Sequence, residues 1–216
     1  MSLKLYTYWR SSASYRVRIA LNLKGLDYES VPRHLLRDGG EQRTKDYLAV
    51  NPQGLVPTLN DDGLLVTQSL AICEYLDEKY PTPPLLPGAA GARASVRAMA
   101  LAVACDIHPL QNLSVLAYLR SELGQEQPAV DAWVRHWIAR GFNALEKLIS
   151  RHSGDGRHCH GERITLADVF LVPQVYNARR FGTDLSNCPL ITRVASSLEA
   201  HAAFAAARPE VQADAS

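Results

Sequence analysis

The chain has 216 residues, 47% of them hydrophobic and 21% charged, with a formal net charge of +1. That is an ordinary globular mixture, long enough for one large domain or two small ones. Near-neutral charge supplies no basic field for nucleic acid, and the seven apolar residues from Met99 to Cys105 fall far short of a membrane span. The start, Met-Ser-Leu-Lys-Leu-Tyr, has the pattern of a strand and not of a signal peptide. The four cysteines (Cys73, Cys105, Cys159, Cys188) are far apart, with no C-x-x-C pair, which argues against a disulfide framework or structural zinc. The expectation is a soluble protein of a reducing cytoplasm.

Residues 3–8 alternate and predict a first strand. Residues 14–24 predict a short helix stopped by Gly25, and Tyr28 to Val31 a second strand. From Leu35 to Asn51 the chain is polar, with Gly39-Gly40, and predicts a loop and a helix. Val56-Pro57-Thr58-Leu59 opens a third strand, Asp61-Asp62-Gly63 is a turn, and Leu64-Leu65-Val66 is a fourth strand. Gln68-Ser69 opens a helix ending near Tyr80. The order β-α-β, α, β-β-α is thioredoxin-like: a parallel pair joined by a helix, then a hairpin and a helix. Residues 83–91 are the expected linker, in a stretch from Pro81 holding four prolines and two glycines.

After the linker the pattern is helical to the end, so the predicted fold is α/β plus all-α. The expected domains are residues 1–82, thioredoxin-like, and 92–216, a helical bundle. Residues 92–122 predict one long helix bent at Pro109. Residues 129–150 predict another, and 153–163 a polar loop. Thr165 is the expected N-cap of a further helix, with Asp168 its reciprocal acid. A last helix spans Pro189 to Ala206, and Ala213 to Ser216 is expected to fray.

Two features carry chemistry. Ser11 and Ser12 lie between strand and helix beside Arg10. There, hydroxyls and free amides favour an anion, and Ser12 is also suited to cap the helix; both serines acting only as caps is the plainer alternative. Gln68-Ser69 opens a second helix in the same way. The cluster His152, His158, Cys159 and His160 has irregular spacing and two glycines, Gly154 and Gly156, so no metal site is expected.

Several motifs together carry a resemblance over nearly the whole chain: Arg10-Ser11-Ser12-Ala13-Ser14-Tyr15-Arg16-Val17-Arg18-Ile19-Ala20-Leu21, Asn51-Pro52, Val56-Pro57-Thr58-Leu59, Gln68-Ser69-Leu70-Ala71-Ile72, Pro109-Leu110-Gln111-Asn112-Leu113-Ser114, Leu171-Val172-Pro173-Gln174-Val175 and Asn177-Ala178-Arg179-Arg180-Phe181. The chain resembles the cytosolic glutathione transferases, and among them the zeta class. It departs from the zeta pattern at Ala13 and Tyr15, where that class usually has cysteine and tryptophan.

The resemblance implies glutathione as cofactor, a homodimer, a small dicarboxylate substrate, and neither nucleic acid nor membrane as partner. Ser11 is implied as the hydroxyl at the glutathione sulfur, with Ser12 and Arg10 beside it. Val56 before an implied cis Pro57, and Gln42, Gln68 and Ser69, are implied glutathione contacts. His108 and Asn112 come from the helical domain, His108 acting across the dimer. Arg10 and Arg180 are the implied carboxylate binders, since a guanidinium grips a carboxylate through two hydrogen bonds.

The implied reaction is cis–trans isomerisation of maleylacetoacetate to fumarylacetoacetate, in aromatic amino-acid breakdown. Thiolate adds, the resulting single bond rotates, and thiolate leaves. Maleylpyruvate is the nearest alternative substrate. A general transferase acting on electrophiles such as haloacids, or a non-catalytic glutathione-binding protein, would use the same fold.

Overall fold

A computed structural model describes residues 3–215. The first strand, β1 (Leu3–Thr7), leads through α1 (Ser12–Leu23) into β2 (Glu29–Pro32). Then come α2 (Lys45–Val50), the hairpin β3 (Thr58–Asp61) and β4 (Leu64–Thr67), and α3 (Ser69–Lys79). The sheet order is β2-β1-β3-β4, with β1 parallel to β2 and the other pairs antiparallel. A parallel pair needs a crossover, and α1 supplies it. β1 buries Leu3, Leu5 and Thr7, while Tyr6 between them meets Tyr47 of α2 edge-on, ring centroids 5.7 Å apart. Leu5 pairs with Leu59 of β3, and both are fully buried together with Val17, Ile19 and Leu21 of α1 and Ile72 and Leu76 of α3.

This sheet and its helices belong to a unit comprising Met1–Pro84 and His201–Ser216; Leu85–Ala200 is the second unit. The helical prediction from 92 onward did not anticipate that return. The expected last helix is two: α8 (Pro189–Glu199) in the second unit and α9 (Ala202–Ala205) in the first. His201 separates them, with an extended backbone and a side chain accepting from Ala203 N. Phe204 and Ala207 are fully buried, and Asn22 Nδ2 of α1 donates to the Ala203 carbonyl at 2.9 Å. Nor does the tail fray: Asp214 is tied to Trp9. Ser216, the rest of that expectation, lies outside the described residues.

The second unit begins with α4 (Ala90–Leu101), a π turn (Ala102–Ile107) and a 3-10 turn (His108–Gln111) before α5 (Leu113–Ser121). The expected bend at Pro109 is instead a break at Asn112. Pro109 sits in the first turn of the 3-10 segment, where its missing N–H costs nothing. Asn112 is extended and caps α5 by accepting from Ser114 N. By length and composition Ala90–Ser121 is apolar enough to cross a membrane, but so is the core helix of a globular unit. Here Val96, Met99, Ala100, Val103 and Ile107 are buried.

α6 (Gln127–His152) buries Val130, Val134, Ile138, Phe142, Leu145 and Ile149 in one stripe. Gly141 admits Ile107 so closely that a Cβ there would lie 2.3 Å from its Cγ1. α7 (Leu166–Arg180) starts in the expected capping box. The buried Asp168 carboxylate accepts from Thr165 N at 2.7 Å, Thr165 Oγ1 at 2.8 Å and Cys159 N at 2.7 Å, fastening the preceding loop.

Candidate active site

The strand register places four connections at one end of the sheet. Tyr6 pairs with Thr58, and Thr58 with Thr67. Residues 8–11 leave β1, 55–57 enter β3 and 68–69 leave β4 at that end. Thr7 pairs with Pro32, so the loop holding Gln42 departs there too. Thus Arg10, Ser11, Ser12, Gln42, Val56, Pro57, Gln68 and Ser69 all sit on connections or helix starts at that one end. Helices α1 and α3 both begin there, and helix N-termini carry free amides and partial positive charge.

Ser11, not Ser12, is the N-cap of α1; its Oγ accepts from Ser14 N at 3.2 Å. Ser11 keeps the extended backbone a cap requires, whereas Ser12 is already the first helical residue and is buried. The cap bond occupies a lone pair and leaves the Ser11 O–H able to donate. Arg10 lies half-buried with its guanidinium 5.2 Å from the Trp9 ring centroid, a cation–π arrangement.

Across the edge, Val56-Pro57 is cis, as is Thr82-Pro83. The carbonyl just before Val56 is fixed: Leu55 O accepts from Tyr47 OH at 2.7 Å and Asn51 Nδ2 at 2.8 Å. Tyr8, Tyr47 and Val56 form one buried cluster, flanked by Tyr6, Trp9, Leu35 and Val50. This is the work of the Asn51-Pro52 motif, whose asparagine closes α2 and props the next turn.

Gln68 has φ 69° and ψ 120°, a left-handed value unusual for a residue with a Cβ. Such strain concentrates where a ligand needs a particular backbone direction. Its Nε2 donates to Gln53 Oε1 at 2.8 Å. Ser69 is buried, and its Oγ accepts from Arg16 Nη1 at 3.2 Å, which joins the starts of α1 and α3. Gln42 is buried against Gly40, where a Cβ would lie 2.5 Å from its Nε2. That nitrogen donates to Leu35 O at 3.3 Å, while Oε1 is buried without a hydrogen-bond partner among the described residues. An unpaired buried amide oxygen is costly and suits a ligand donor.

Burial disfavours ionisation of three of the four thiols. Burial pushes Cys73 up to about 12 and Cys159 well above the ordinary thiol range, and it raises Cys188 as well. Cys105 is exposed, in the second unit.

The remaining candidates belong to the second unit. His108 begins the 3-10 turn and is half-buried. Asn112 uses its Oδ1 to cap α5, a structural task the sequence motif did not disclose. Arg180 is exposed at the end of α7, its guanidinium 4.5 Å from the Phe181 ring centroid. His152 and His160 stack at 5.4 Å, and His158 Nδ1 pairs with Asp155 at 3.0 Å.

Residues 5–84 match the family model "Glutathione S-transferase, N-terminal domain", and residues 131–209 match "Glutathione S-transferase, C-terminal domain". The chain belongs to the glutathione S-transferase family. Its nearer likeness is to the zeta class. It is 53% identical to a probable maleylacetoacetate isomerase of Vibrio cholerae, over 100% of this chain and 99% of the relative. It matches the holo structure of a bacterial zeta-class maleylpyruvate isomerase with TM-score 0.95 and 46% identity, covering 99% and 100% of the two chains. A maleylacetoacetate isomerase from Anaeromyxobacter dehalogenans, with dicarboxyethyl glutathione and citrate in its active site, matches with TM-score 0.87 and 43% identity over 100% and 98%.

Proposed function

We propose that this chain is a glutathione-dependent cis–trans isomerase of maleylacetoacetate, working in the cytoplasm as a homodimer. Full-length likeness to maleylacetoacetate isomerases carries the reading. The edge described above supports it, because its residues fit glutathione. Two helix N-termini, the unpaired Gln42 oxygen and the strained Gln68 backbone suit a peptide bearing carboxylates. Val56, with its preceding carbonyl fixed, offers main-chain pairing to the cysteinyl residue, and Ser69 with Gln68 holds the γ-glutamyl end.

Bound glutathione supplies a thiolate able to add reversibly to an activated double bond. A free thiol has a pKa of about 8.5, and each unit of lowering needs about 1.4 kcal/mol of preferential stabilisation of the anion. The Ser11 hydroxyl and the free amides of α1 supply that stabilisation, with Ser12 on the first turn. Arg10 binds a substrate carboxylate; Arg180, His108 and Asn112, in the second unit, carry the roles that the zeta-class resemblance implies. A dicarboxyethyl group on glutathione, as the Anaeromyxobacter enzyme holds, is what thiol addition to a butenedioate produces.

The test is to incubate protein and glutathione with maleylacetoacetate and, separately, maleylpyruvate, and to identify products by NMR. A fumaryl product with glutathione recovered supports isomerisation. A stable adduct with haloacids and no isomerisation would replace the reading with a general transferase. Maleylpyruvate is the second reading, favoured by the 0.95 TM-score to a maleylpyruvate isomerase.

A further inference from the structure

Trp9, between β1 and Arg10, is gripped on both sides of its peptide. Its N–H donates to Asp214 Oδ2 at 2.9 Å, and its carbonyl accepts from Arg18 Nη2 at 2.9 Å. Arg18 Nη1 reaches Thr7 Oγ1 at 3.2 Å and the Tyr8 carbonyl at 3.4 Å, while Nε donates to the Ala207 carbonyl at 3.0 Å. Arg18 is 1% exposed, and burial lowers its pKa to about 10. Burying a guanidinium is expensive unless its donors are satisfied. Here they are divided between three consecutive residues, 7 to 9, and the returning segment 201–215.

The next contacts run into the candidate site. The Trp9 ring lies under the Arg10 guanidinium, and Ser11 N donates to the Tyr8 carbonyl at 3.0 Å. Whatever fixes residues 8 and 9 therefore fixes the origin of both Arg10 and Ser11. One binds the substrate carboxylate and the other the sulfur, so their separation sets the approach of thiolate to double bond.

We propose that Asp214 and Arg18 are positioning residues, which clamp Trp9 and so hold Arg10 and Ser11 in register for the reaction. The roles of Arg10 and Ser11 in that statement rest on the function proposed above. Arg18 lies in the core, so its removal would confuse positioning with folding. Asp214 is half-buried near the end of the described chain and tests the clamp cleanly.

Asp214→Ala and Asp214→Asn should be compared with the unaltered protein by amide hydrogen exchange, by ultraviolet titration of the bound glutathione thiol, and by kinetics with maleylacetoacetate. In Asp214→Ala the amides of residues 9–11 should exchange faster while global stability holds. The bound thiol should titrate higher, and kcat should fall about 10- to 100-fold, by more than the KM for glutathione rises. Asp214→Asn, whose side-chain carbonyl accepts the same N–H, should recover most of the loss. Unchanged exchange at Trp9, a loss of kcat that merely follows thermal stability, or an asparagine variant as impaired as the alanine one would overturn the clamp. If the unaltered protein fails to isomerise maleylacetoacetate, the functional reading is what falls. The clamp is then decided by exchange at residues 9–11 and by the thiol titration.

Discussion

Ser11 performs two tasks with one hydroxyl: it accepts a backbone N–H as a helix cap and keeps a proton to donate. Replacement therefore has two separable costs. Ser11→Ala should lose about 1 kcal/mol of stability through the cap and lose most turnover. Ser11→Asn should keep the cap and the stability but lack the hydroxyl, so turnover stays low. Denaturant titration and steady-state rates on the two variants make the separation; full activity in Ser11→Asn would remove the serine from the chemistry. Gln68 illustrates the converse. Its residue type gave away a helix opening, but its left-handed backbone is a property of the turn and had no sequence signature.

At the scale of elements, close contacts decide what a segment tolerates. Gly141 lies in the middle of α6, where glycine costs helix stability. Its reason is Ile107, whose side chain occupies the space a Cβ would need, on the turn just before His108. Gly141→Ala should destabilise by about 1–3 kcal/mol through overpacking, measured by thermal or denaturant unfolding. Within the first unit, Asp61 of β3 is locked to α3. It accepts from Lys79 Nζ and, at 2.6 Å, from Tyr75 OH, and these bonds, Lys79's first, hold its carboxyl below the ordinary range. A carboxyl more acidic when folded contributes stability that is complete above its unfolded value of about 3.9 and is lost as pH falls through the folded value. Asp61→Asn should be less stable at neutral pH, and its stability should fall less steeply below about pH 4. Parallel slopes for variant and parent in unfolding midpoint against pH would contradict the assignment.

For the molecule as a whole, the return of residues 201–215 means that the sheet unit is assembled from both ends of the described chain. Phe204 is fully buried there although most of that unit is over 120 residues earlier. Phe204→Ala should cost about 3–5 kcal/mol, the usual range for emptying a buried aromatic site. Because the lost contacts lie in the first unit, glutathione binding should weaken with it, which calorimetric titration would register. A variant with unaltered unfolding and binding would show that the segment adds nothing to that unit.

The sequence alone determined what local rules encode. Period-two alternation marked β1, helical spacing marked α6, and Thr165 with Asp168 announced the start of α7, because each depends on neighbours a few residues away. The motifs around Ser11, Val56-Pro57 and Gln68-Ser69 carry the family likeness within the sequence itself. Only the tertiary structure decided which serine caps α1, that Asn112 breaks the long helix, and that the tail is anchored. It alone gave the buried Arg18 its purpose, since that guanidinium meets a carbonyl 189 residues away. No local pattern can announce such a partner, because the free energy that holds it comes from burial and hydrogen bonds that exist only once both segments have met.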